Sequence, residues 1–330
     1  MPNKSPDHSE AEDKDTSTVA TTAPVDGFAR QIASGLEETE DEIRNLARSL
    51  GSSSQDESLR RAKDIVTQFQ PVPQFIWRIS SYTLGRAGRI NKLSDGNLFG
   101  LKKIVLAIAK DRILGKGATV LTTRAVVDTV PSDVIAAVAV LHALGRRLQT
   151  REYHAVWGPI LDDALLRAEI GYFVGTMCEE FGPGRGMLAG FAGRIGLAVL
   201  IATGSADQAQ AAITLLAGGR RIEEVALDLY GCEPLHISSM ILSAAGCGKE
   251  SVLGVAAFTM TSRQQVNLEP EQQRWLSALT VTERVRGGEH DSVDESAWKR
   301  MGYESPEERA ELIEIVGTLR RRGHGWNWMI

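Results

Sequence analysis

The chain has 330 residues, 43% of them hydrophobic, enough to bury the core of one large domain or two modest ones. Its formal charge of −5 is uneven: residues 1–50 hold 5 Lys/Arg against 11 Asp/Glu, and the remainder 32 against 31, a balanced body without the basic excess of a nucleic-acid binder. The longest apolar run, "IGLAVLIATG", stops short of the roughly 20 residues a membrane span needs, and the polar start excludes a signal peptide.

Residues 1–26, rich in Ser, Thr, Asp and Glu, have too little apolar surface to offset the entropy of ordering and are expected to be a disordered acidic tail. A helix then spans 26–50, with Phe28, Ile32, Leu36, Ile43, Leu46 and Leu50 at helical spacing and Gly51 as its cap. Its apolar face would suit either the body or a partner. "GSSSQDES" reads as a linker into a second helix, "DESLRRAKDIVTQF", stopped by "QPVP".

From Pro71 onward nearly every segment reads as helix: 73–90, 98–114, 131–148, 157–182, 186–204, 206–219, 220–231 and 234–246, then 269–287, 294–302 and 305–323. Gly145, Gly204, Gly218 and Gly246 mark ends, and Asp133 and Ser205 supply side-chain oxygens at starts. Only "ATVLTT", 118–123, has β character, and it could equally be a helical turn or loop. The expected class is all-α: an N-terminal helical segment over 27–70, a domain over 71–286, and C-terminal helices over 287–330 packed on it.

Phosphate-binding glycines come first among chemical motifs. "GPGRGMLAG" loosely fits a dinucleotide fingerprint but follows a helix where that motif needs a strand, and "SAAGCGKES" has Ser243 and Glu250 where a P-loop needs Gly and Ser/Thr. The three glycines of "AGFAGRIG", Gly190, Gly193 and Gly196, therefore read as one face of a buried helix that admits a close neighbour. The three cysteines, Cys178, Cys232 and Cys247, lack a C-x-x-C and read as free thiols of a reducing compartment, so the chain is expected in the cytoplasm. No HExxH or HxH zinc pattern and no G-x-S-x-G elbow occurs, and neither metal nor cofactor is expected. "LRRRGHGWNWMI" could dock on nucleic acid or a partner; the preferred reading is a cationic helix end whose tryptophans fold back.

Several segments, in order, resemble one family. "PVPQFIWRI", "IAKDRILGKGATVL", "DVIAAVAVLHALGRRL", "VWGPILDDALLRA", "LAGFAGRIGLAVL", "ALDLYGCEPLHISSMIL" and "WLSALTVTERV" are similar to successive segments of the HDOD domain, the HD-related output domain of bacterial signalling proteins. The resemblance implies a helical scaffold related to HD phosphohydrolases. It places Gly193 and Arg194 where catalytic relatives carry a His-Asp dyad, Pro159 and Pro234 at their other histidine positions, and Leu279 near their final aspartate. What it implies is a non-enzymatic regulatory module whose partner is another signalling protein; the short apolar runs and the balanced charge weigh against membrane and nucleic acid as partners.

Arg194 is the only charge between Met187 and Ala202. Either its guanidinium stands in the place of the metal, paired with Asp163 or Glu169, or it snorkels to the surface, the simpler expectation. An enzymatic alternative would use Asp162, Asp163, Glu169, Glu179 and His236 as unconventional ligands. A nucleic-acid alternative would use Arg320, Arg321, Arg322 and Trp326.

Overall fold

The computed structural model describes residues 23–51, 56–85, 101–115, 122–152, 154–260 and 267–329, and among them every regular element is helical, with no strand. Residues 1–22 of the expected 1–26 tail, half of the "GSSSQDES" linker, residues 86–90 and 98–100 of two expected helices and most of "ATVLTT" lie outside the described residues, and residues 23–26 are helical rather than tail.

Helix α1 (Ala23–Ser49) begins three residues before the expected start and ends at Gly51, which is left-handed at φ +71°. It packs on the body. Leu36 and Ile43 are buried, Thr39 hydrogen-bonds Ser243 at 2.6 Å, and Glu40 accepts from Lys63 of α2 (Asp56–Phe69) at 2.7 Å. α2 has the expected bounds because Gln70 turns left-handed at φ +47° and Pro71 cannot extend the helix. α3 (Gln74–Thr83) and α4 (Lys102–Lys110) follow, then a helix missing from the sequence reading, α5 (Thr123–Thr129), capped by the Thr122 hydroxyl on the Ala125 amide.

Three buried helices form the centre: α6 (Ser132–Gln149), α7 (His154–Thr176) and α8 (Pro183–Thr203). Gly145 does not end α6 but lies buried inside it. α7 stops earlier than expected, and the chain turns through Gly182, at φ +84°, into α8. α8 has the length and composition of a membrane span, with a hydropathy of 1.6 over a window that is 83% buried in the fold, so apolar character here belongs to a core helix.

The periphery is α9 (Ala206–Ala217), α10 (Ile222–Tyr230), α11 (Pro234–Ala244), α12 (Lys249–Ala256), α13 (Pro270–Gly287), α14 (Glu295–Arg300) and α15 (Pro306–Arg322). Ser205 caps α9 in a reciprocal box with Gln208, and Ser305 does the same for α15 with Glu308. α12 also escaped the sequence reading, which had weighed "SAAGCGKES" only as a phosphate loop. One apolar cluster runs from Leu36 through the central helices to Trp326 and Met329, so both ends of the described chain share the core.

Candidate functional site

The glycines of α8 position the site. A Cβ on Gly190 would lie 2.1 Å from the Arg167 carbonyl oxygen of α7, one on Gly193 2.2 Å from Glu283 Oε1 of α13, and one on Gly196 1.9 Å from the Pro234 carbonyl oxygen of α11. They do not form one face against one neighbour, as the sequence reading had it. A step of three residues turns about −60° around a helix, so three glycines fan across about 120° and meet three helices. Gly186 and Gly190, four apart, do share the face toward α7: a Cβ on Gly186 would lie 2.1 Å from the Gly171 carbonyl oxygen.

Gly193 is therefore the opening through which Glu283 reaches the centre. Leu279, one turn earlier on α13, is fully buried and 3.4 Å from the same Cβ position. Pro234, the first residue of α11, closes on Gly196, and Pro159 stands one turn before Asp163 on α7.

Arg194 is half-buried and pairs with Asp163, its Nε donating to Oδ2 at 3.1 Å. Asp163 also accepts from Arg286 Nη2 of α13 at 2.9 Å and from Arg167 Nη1 of α7, and Arg167 Nε donates to Glu283 Oε1 at 2.5 Å. Three guanidiniums thus enclose two carboxylates, a net charge of one positive (3 − 2). Burial pushes the Asp163 carboxyl upward, but the guanidiniums, Arg167 foremost, outweigh it and hold it below the usual carboxylate range. The cluster is an ionic network that engages both carboxylates and leaves one buried donor, Arg286 Nε, without a hydrogen-bond partner among the described residues.

Glu169, the other expected partner, is not near Arg194. It is fully buried and accepts from Arg322 Nη2 at 2.9 Å and from the Gly325 amide at 2.8 Å. The Arg-Trp tail it holds folds back: Trp326 is buried, Trp328 Nε1 donates to Asp111 at 3.0 Å, and the Met329 carbonyl meets His142 at 2.8 Å. Arg322 and Trp326 are thereby committed to the body, while Arg320 and Arg321 are exposed. Arg185, rather than Arg194, is the fully buried cation of α8, donating to the Glu180 carbonyl at 3.3 Å and lying 3.7 Å from Glu271.

Asp133 corrects another expectation. Its carboxylate does not cap its own helix but crosses to α8, accepting from the Gly184 amide at 2.7 Å. The amide that a phosphate would need in "GPGRGMLAG" is occupied by a carboxylate.

The ligand set of the enzymatic alternative is dispersed. Asp162 faces His324 at 3.7 Å, Glu179 is exposed, and His236 is buried against Ser58 of α2. Among the described residues no three His, Cys, Asp or Glu converge as a metal would require. The expectation that no histidine is followed by an aspartate is wrong: His290–Asp291 is such a pair, and it sits on a surface 3₁₀ turn.

Ser58, Glu233 and His236 form a second polar cluster. Ser58 Oγ accepts from the Glu233 amide at 2.9 Å and shares a hydrogen bond with His236 Nδ1 at 2.8 Å. Burial lowers His236 to about 4, so it is neutral near pH 7 and can accept. Burial, then the nearby Glu223 charge, raises Glu233 to about 7. A serine and histidine at this distance have nucleophile-and-base geometry, but both are buried, and the bond ties α2 to α11.

No protein-family model and no curated protein matches the chain. A solved structure shares the fold: a provisionally assigned signal transduction protein from Marinobacter aquaeolei VT8, with a TM-score of 0.51 over 80% of this chain at 15% identity. The chain spans 64% of that protein's length.

Proposed function

We propose that this chain is a non-enzymatic signalling module of the HDOD type, working in the cytoplasm by binding another signalling protein. The observation that carries the reading is the Asp163 cluster. Metal-activated hydrolysis needs ligands that hold a cation and an open position for its water. Where the resemblance puts those ligands stand Arg194 and the side-chain-free Gly193, and the carboxylate beside them is saturated by three guanidiniums. A divalent cation brought to Asp163 would meet three positive charges within a few ångströms.

The shared fold of the Marinobacter protein supports a signalling role, since that protein is assigned to signal transduction. The balanced charge of the body and the folded-back tail support a protein partner over nucleic acid, and the burial of α8 argues against a membrane role.

The test is elemental analysis of untagged protein with a hydrolysis assay on bis(p-nitrophenyl) phosphate in added manganese or magnesium. Substoichiometric metal and no turnover above buffer are expected. One equivalent of tightly held metal, with turnover that disappears in Asp163→Ala, would overturn the reading.

A further inference from the structure

A groove of about 1070 Å³ opens between the start of α1, the Pro71–Pro73 turn, α3, α4 and α6, and none of the Asp163 cluster lines it. Its floor is apolar, built by Phe28, Ile32, Val72, Phe75 and Ile104, and Phe75 is 45% exposed. Its rim is cationic: Lys102 and Lys103 from α4, Arg146 and Arg147 from α6. Among the described lining residues there is no Asp or Glu.

That combination is unexpected on a chain whose net charge is −5. Arg147 is used structurally, its Nε donating to the Phe69 carbonyl at 2.8 Å, and Arg146 reaches only Gln149 at 3.2 Å. Lys102 and Lys103 make no ion pair with any described residue. Some exposed cations elsewhere pair with neighbouring acids, as at Arg309–Glu295 and Arg220–Asp228, and others, such as Arg48 and Arg60, stand alone on the surface among the described residues, but those are not gathered around an apolar trough. Here three cations converge on an apolar trough with no described acid among its lining residues.

We propose that this groove docks an acidic amphipathic segment of the partner protein, its apolar side chains on the Phe28–Phe75 floor and its carboxylates on Lys102, Lys103 and Arg146. The floor requires regularly spaced apolar anchors, and the rim requires carboxylates on the flanks of the same segment. A helix with anchors at i, i+3, i+4 and i+7 and acids between them presents that pattern. The cations steer encounter and reject basic segments, while the apolar floor supplies most of the affinity.

This inference rests on the protein-interaction reading above, and its test separates the two. The probe is a fluorescein-labelled synthetic helix of 18 residues, with Leu at the anchor positions and Glu between them, followed by fluorescence anisotropy on the full chain. Saturable binding is expected. It weakens about tenfold or more in Lys102→Glu/Lys103→Glu/Arg146→Glu, and about fivefold or more in Phe75→Ala. These side chains lie at the surface, and unchanged circular dichroism and thermal midpoint confirm that the variants fold.

Equal binding of a Lys-for-Glu peptide, or unaltered binding in both variants, overturns the groove assignment. So does displacement of the probe by a single-stranded oligonucleotide, which would make the face a nucleic-acid surface. If binding appears only after residues 1–22 are removed, the chain's own acidic segment is the occupant and the partner assignment falls. The same preparations are assayed for metal and hydrolysis: turnover overturns the non-enzymatic reading, whereas failed peptide binding without turnover overturns the groove alone.

Discussion

Asp163 holds together side chains from three helices, and its removal leaves Arg167, only 5% exposed, facing Arg194 and Arg286 without a counter-charge beyond Glu283. Breaking a fully buried pair costs about 3–5 kcal/mol, and partial solvent access here reduces that, so Asp163→Ala is expected to lose about 2–3 kcal/mol in urea unfolding. The carboxyl is held below its usual range in the folded state, so its contribution is present above the unfolded pKa and lost as pH falls through the folded one. The gap between parent and variant should narrow in acid. A gap that is small at pH 7, or grows on acidification, would show that the network does not stabilise the fold.

Glu233 and His236 pull in opposite directions. His236, lowered from 6.5 to about 4, withdraws stability as pH falls between those values, and Glu233, raised from 4.5 to about 7, withdraws it as pH rises between them. Each effect is on the order of 3 kcal/mol at its limit, so they largely offset in the parent. Glu233→Gln removes one arm and should make stability fall as pH drops from about 6.5 toward 4. A thermal midpoint in that variant that is flat over this range would refute the assignment of a buried neutral His236.

At the scale of elements, packing against α8 decides which residues are tolerated. Alanine is favoured over glycine inside a helix by about 1 kcal/mol, so propensity alone says that Gly190→Ala should stabilise. The structure says the reverse, because the new Cβ would lie 2.1 Å from a backbone carbonyl oxygen of α7, which cannot rotate away. A net loss of about 2–3 kcal/mol is expected, with Gly186→Ala similar. A gain in the urea midpoint would mean that α7 and α8 stand further apart.

Helix-start signals of the local kind are legible: Ser205 reads as a start and a helix reads from Ser305, and the structure adds the reciprocal partners Gln208 and Glu308. Asp133 looked the same in sequence, yet its carboxylate serves α8, 51 positions away. Nothing in the local pattern separates the two uses. α5 and α12 are short, and each opens in a stretch that carried another signal, the β-like "ATVLTT" for α5 and the glycine-rich "SAAGCGKES" for α12, whereas the six-residue α14 has no such competitor.

Over the whole molecule, the ends are tied into one core. α1 docks through Leu36, Ile43 and Thr39, and the C-terminal tail closes over α7 with Trp326 and satisfies Glu169. Trp326→Ala should cost about 3–5 kcal/mol, as expected for a fully buried aromatic, and removal of residues 323–330 should cost more by stripping Glu169 of the Gly325 amide. Thermal unfolding checks both. If the truncated chain melts with the parent, the tail is a passenger and its arginines and tryptophans are free for another use.

The sequence by itself determined the all-α class, most helix spans and the free thiols. Those features depend on periodicity, caps and composition, which are local in the chain. It favoured an Arg194 that snorkels to the surface and named Asp163 only as one of two partners in the alternative, which is the one the structure shows. Only the tertiary structure decided that Arg286 and Glu283 complete the Asp163 cluster, that Glu169 serves the C-terminal tail, and that Phe28, Phe75 and three free cations share one groove. Asp163–Arg167 has the i, i+4 spacing of a helical ion pair and could have been found in sequence, but Arg286 lies 123 positions from Asp163. Charge neutralisation and burial are set by distance in space, and the chain brings such residues together only when α8, through its glycines, lets three helices close upon it at once.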